Sequence, residues 1–98
     1  MVKVIEKATS IHEFIEVCDK YSLPCVPQPT MVFTRVAEIL YRTNENAKYA
    51  VCDCDAKIEI VDYIDEKDLT SYCKKNKFDL VSIVNKDGSA TISNPDRF

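Results

Sequence analysis

Gly88 is the only glycine in the chain, and that narrows the possible folds more than any motif does. Sites that hold nucleotide phosphates in a glycine-rich loop need several glycines, so that backbone N–H groups can approach the phosphate oxygens. A P-loop or a dinucleotide-binding βαβ unit is thereby excluded. The same scarcity leaves one position where positive φ carries no steric penalty. Asn85-Lys-Asp-Gly88 uses it, with type I turn chemistry and glycine in the left-handed position of a G1 bulge. The apolar run 78–84 before the turn and the short run 90–93 after it predict a C-terminal hairpin.

The rest of the chain reads in order. Val2, Val4 and Ile5 alternate loosely with charged residues, as in a short strand. Ser10 and Glu13 form a capping box. Behind it Ile11, Phe14, Ile15, Cys18 and Tyr21 recur at helical spacing, up to a stop at Pro24. His12, the only histidine, falls on the opposite, solvated side. Pro24, Pro27 and Pro29 make residues 22–30 an extended connector. Thr30 then caps a second helix over 31–43, with Val32, Phe33, Val36, Ile39 and Leu40 on one face and Met31, Ala37 and Tyr41 widening it. A helix this broadly apolar is either core or a self-association surface.

Residues 47–52 and 57–64 predict two strands around a tight acidic turn. A third helix follows, acidic at its start and basic at its end, as the helix dipole favours. Leu69, Tyr72 and Cys73 form its buried stripe. The expected order is βααββαββ. This is an α+β two-layer sandwich, with helices on one face of a mainly antiparallel sheet of about five strands. With 98 residues, of which 46% are hydrophobic, the whole of 1–98 reads as one domain with a loose tail at 94–98. No apolar run approaches the ~20 residues needed to span a bilayer. Five cysteines, an odd number, suit a reducing cytoplasm.

Charge is concentrated in one place. Residues 53–68 hold seven Asp and Glu against two Lys, a net −5, whereas the whole chain carries −3. Such a surface disfavours nucleic acid as a direct partner, because phosphate binding needs basic groups. Residues rise ~3.3 Å along a strand, close to the ~3.4 Å per phosphate of one DNA strand, so an acidic strand can imitate a phosphate row. The contact residues expected from this reading are Asp53, Asp55, Glu59, Asp62, Tyr63, Asp65, Glu66 and Asp68. Tyr63 or Tyr49 would supply apolar affinity.

Metal and catalytic readings are weaker. Cys52 and Cys54 would point to one face of a strand, yet no further Cys/His spacing completes a ligand set, so they read as small buried side chains. Asp53-Cys-Asp55 after an apolar strand resembles the Asp-x-Asp start of haloacid-dehalogenase-type phosphoryl-transfer enzymes. That resemblance implies a larger doubly wound domain, which 98 residues do not provide. Glu45 with Asp55-Ala-Lys57 resembles the acid, acid-x-lysine set of Mg²⁺-dependent nucleases and stands as the enzymatic alternative.

The leading expectation is a non-catalytic protein–protein interaction module without cofactor or metal, working on a protein partner with a basic surface. Lys, Ile, Asn and Tyr outweigh Gly, Ala, Arg and Pro, which fits an A/T-rich coding genome of the kind many phages carry. The concrete form is then a small phage or mobile-element inhibitor in the host cytoplasm, presenting a nucleic-acid-mimicking surface to a nucleic-acid-binding enzyme. A homo-oligomer through the helix at 31–43 is the remaining alternative.

Overall fold

A computed structural model describes residues 2–93. The expected tail at 94–98 lies outside the described residues. The elements are β1 (Val2–Ala8), α1 (Ile11–Lys20), α2 (Pro29–Thr43), β2 (Tyr49–Cys54), β3 (Lys57–Tyr63), α3 (Glu66–Lys75), β4 (Leu80–Val84) and β5 (Ala90–Ser93). The class, the five strands and the order βααββαββ are as expected. All neighbours in the sheet are antiparallel, in the order β1-β3-β2-β4-β5.

The expectation placed the helices together on one face; they divide between the two. Tyr49 and Val51 of β2, Ile58 and Ile60 of β3, and Val84 of β4 share a core with Phe14, Val17 and Cys18 of α1 and Val32, Phe33, Val36, Ala37 and Tyr41 of α2. The alternate residues Ala50, Cys52, Val61, Tyr63 and Val81 form a second core with Leu69 and Cys73 of α3 and with Phe78. Successive strand residues point to opposite faces, so these are the two sides of one sheet. The cause is visible in β2, whose first four residues, Tyr49-Ala-Val-Cys52, are apolar without alternation, the pattern of a strand buried on both faces.

Each helix shows why it starts and stops. Ser10 Oγ accepts the Glu13 N–H at 3.2 Å, and the Glu13 carboxylate takes the Thr9 N–H at 2.8 Å and the Thr9 hydroxyl at 2.6 Å. The glutamate thus reaches one residue further back than a capping box requires. α2 begins two residues earlier than the expected start at Met31. Pro29 occupies its first turn, where proline's missing N–H would have had no helical partner anyway. Thr30, freed from capping, donates to Asp53 Oδ2 at 3.1 Å. Asp65 caps α3 by accepting the Lys67 N–H at 2.9 Å.

α1 and α3 end in the same device. Leu23 N–H returns to Cys18 C=O at 2.9 Å and Ser22 N–H to Asp19 C=O at 3.2 Å; Phe78 N–H returns to Cys73 C=O at 3.0 Å and Lys77 N–H to Lys74 C=O at 3.2 Å. Both are Schellman closures, with an apolar residue folding back on the last turn. Glycine normally takes the left-handed position, but here Ser22 (φ 56°) and Lys77 (φ 61°) hold it. The chain has one glycine, and the β4–β5 turn uses it at φ 90°. Lys77 is exposed, so Lys77→Gly removes the strain and loses little packing. After subtraction of glycine's extra unfolded-state entropy, the gain should be about 0.5–1 kcal/mol. A rise in Tm checks it, and no change would mean that the left-handed position is unstrained.

A carboxylate–phenol tie fastens each face. Tyr21, just past α1, hydrogen-bonds Glu6 of β1, which also takes Lys20 Nζ at 2.7 Å. Tyr72 of α3 hydrogen-bonds Glu59 of β3 on the other side. Among the described residues no helix is long and apolar enough to cross a membrane.

Candidate functional site

The expected acidic row does not form, because alternation sends its members to different places. Glu59 points into the α3 side and is only 3% exposed. There it accepts the Tyr72 hydroxyl and lies 3.8 Å from Lys57 Nζ. Asp53 and Asp62 point to the α1/α2 side and are half-buried. Tyr63 and Tyr49, expected to supply apolar contact, are core residues, 4% and 5% exposed. Asp65, Glu66 and Asp68 are exposed at the start of α3. They lie at the far end of β3 from Asp55, which its seven residues place roughly 20 Å away. A continuous run of carboxylates in sequence has become two separate exposed spots and one buried group.

What assembles instead is a groove of about 430 Å³ between the start of α1, the proline connector and the β2–β3 turn. Its apolar lining includes Ile11, Phe14, Pro27, Pro29 and Ile58, and Asp53 and Asp55 are its acids. Asp55 is exposed in the turn with no ion pair or hydrogen bond among the described residues, and Asp53 holds only the neutral Thr30 hydroxyl on its side chain. Lys57, two residues from Asp55, does not neutralise them. It is directed to the opposite side of the sheet, near Glu59 and 5.0 Å from the centre of the Phe78 ring. Burial of Glu59 is the cause: a carboxylate inside the protein needs compensating partners, and Lys57 is drawn toward it.

Helical spacing alone puts Ile11 in the buried stripe of α1, but that stripe is Phe14, Val17 and Cys18, and Ile11 is 64% exposed at the groove. The signal available in the sequence was its place immediately after the cap, before the helix has a covered side. Pro27 and Pro29 read as connector only; their part in the groove depends on how α2 packs, which no local pattern gives.

The metal-dependent alternative does not assemble. Glu45 precedes β2 while Asp55 follows it, so the six-residue strand separates them by roughly 20 Å. Among the described residues no group of three or more His, Cys, Asp or Glu is placed to hold a metal. Cys54 is half-buried, and Cys52 is fully buried with its sulfur 3.4 Å from that of Cys73. The hydrogen bond with Cys73, then burial, pushes the Cys52 thiol far above its ordinary range. Burial, followed by the neighbouring Cys25 thiol, pushes Cys18 up to about 11. Neither thiol has the lowered pKa that a nucleophile needs, and Cys73, which the hydrogen bond with Cys52 does lower, is fully buried.

The chain matches no protein-family model, and no curated protein or solved structure resembles it significantly.

Proposed function

We propose that this protein works by contact rather than by catalysis, as a protein–protein interaction module whose groove at the β2–β3 turn receives a basic, partly apolar segment of its partner. The observation that carries the reading is the pairing of an apolar floor with Asp53 and Asp55, whose nearest sequence base, Lys57, borders the groove but carries its ammonium toward Glu59 and the Phe78 ring on the other side of the sheet. An apolar anchor on the floor would supply affinity, and the two carboxylates would orient a lysine or arginine and speed association. Imitation of a phosphate row is not part of this reading, since Glu59 is buried and the other acids stand at separate ends of the sheet. The basic partner surface remains; the nucleic-acid mimic does not.

Calorimetric titration with short peptides that combine Lys or Arg with Leu tests it. A binding peptide should lose about tenfold in affinity, or ~1.4 kcal/mol, against Asp55→Lys. Affinity should also weaken as salt is raised, since the acids are at the surface. Peptides that bind the variant as well as the native protein, or no binding by any basic peptide, would sink the reading.

A further inference from the structure

The two edges of the sheet are protected unequally. β1 carries Lys3, Glu6 and Lys7, is interrupted by a bulge between Val4 and Glu6, and has α1 and α3 packed against it. Charges, a bulge and covering elements are the usual means of keeping an edge from pairing with another chain. Among the described residues β5 has none of them. Its sequence Ala-Thr-Ile-Ser is uncharged, its register with β4 is unbroken, and it packs chiefly on β4.

The ladder fixes which backbone groups are free. Asn85 N–H bonds Ser89 C=O at 2.8 Å, so Asn85–Ser89 is a closely spaced pair. Alternation along an antiparallel ladder makes Ile83–Thr91 and Val81–Ser93 the next ones. The N–H and C=O groups of Ala90 and Ile92 therefore point away from β4. On the α2 side, Ile92 is 65% exposed, with Met31 (50%) across a groove of about 540 Å³ that Arg35 and Glu38 also line. Leu80 (43%) faces the same side. Arg35 has no acidic partner among the described residues, and the Glu38 carboxylate lies over the turn, where a Cβ on Gly88 would stand 2.7 Å from Oε1.

We propose that β5 is a dimerisation edge, and that two copies of this chain pair antiparallel through residues 90–93 about a twofold axis perpendicular to the sheet. The free groups set the register: Ala90 opposite Ile92 of the second copy, and Thr91 opposite its own counterpart at the axis. Four backbone hydrogen bonds then close, and the result is one ten-stranded sheet, within the size that open sheets reach. A perpendicular axis keeps both α2 helices on the same side, running antiparallel across the joint. The grooves lined by Arg35 and Glu38 in the two copies then flank the joint on one side, and each contact across it occurs twice. Ile92 and Met31 of both copies fill the space below. This surface is separate from the β2–β3 groove, so the two proposals stand or fall independently.

Sedimentation over a wide concentration range, with Ile92→Lys and Thr91→Cys beside the native chain, tests it. The native chain should pass from 11.2 kDa to twice that mass. Ile92→Lys, an exposed substitution that should keep the native circular dichroism, should stay monomeric. In a Cys25→Ser background, which removes the exposed thiol, Thr91→Cys should give a covalent dimer under mild oxidation that the background alone does not give, because directly opposed non-hydrogen-bonded residues approach within disulfide range. A native chain that stays monomeric up to the millimolar range, an Ile92→Lys dimer as strong as the native one, or no crosslink through residue 91 overturns the proposal.

Discussion

Tyr41→Phe should destabilise the protein by about 2–4 kcal/mol, although it removes one oxygen and keeps the ring. The Tyr41 hydroxyl donates to Val84 C=O at 2.8 Å and accepts the Tyr49 N–H at 2.9 Å. Tyr49 and Val84 are opposite residues of β2 and β4. The hydroxyl therefore inserts into a rung of the sheet and fastens the last turn of α2 to two strands at once. All three residues are buried, so phenylalanine would leave a donor and an acceptor without partners and without water. Tyr49→Phe is the control. Its ring packs edge-on against Tyr41 at 4.8 Å between centres, but its hydroxyl makes no hydrogen bond among the described residues. It should cost less than about 1 kcal/mol. Urea midpoints at unchanged m-value separate the two, and equal losses would mean that the bridging hydroxyl is replaceable.

The second large effect is alkaline unfolding. The chain has five tyrosines, and every one is held above the ordinary phenol pKa of ~10. Burial is the first cause in each case. For Tyr21 and Tyr72 the hydrogen bonds to Glu6 and Glu59 add to it, since an ionised phenol could no longer donate to a carboxylate. A pKa raised in the folded state means that the folded protein keeps protons which the unfolded chain releases. The resulting stability is fully present below pH ~10 and is lost as pH rises above it. Phenolate absorbance should therefore appear late and together with loss of circular dichroism, in one cooperative step. Gradual ionisation centred near pH ~10 with the fold intact would contradict the burial of these side chains.

The elements were legible because their signals are local. The capping pair Ser10/Glu13, the acidic start of α3 and the Gly88 turn each lie within a few residues, and each stands where the local chemistry puts it. The faces were less legible. Lys57-Ile-Glu-Ile-Val-Asp-Tyr63 looks like a strand with a solvated acidic side, yet Glu59 and Tyr63 are both in the α3 core. What decides this is α3 packing on the far side of β3 and offering Glu59 the Tyr72 hydroxyl, thirteen residues away. No periodicity within β3 carries that information. The groove was half legible: Asp53 and Asp55 were singled out by charge, but their apolar companions come from α1 and the proline connector, and only tertiary packing brings the three together.

The proposed contact face around Asp53 and Asp55 can be located by amide NMR of the native protein titrated with a basic, leucine-containing peptide. Shifts confined to the groove, at Ile11, Asp55, Ala56 and Lys57, and absent in Asp55→Lys, are the predicted result. Shifts centred instead on Glu66 and Lys67 at the start of α3, or a spectrum that no basic peptide moves, would contradict it.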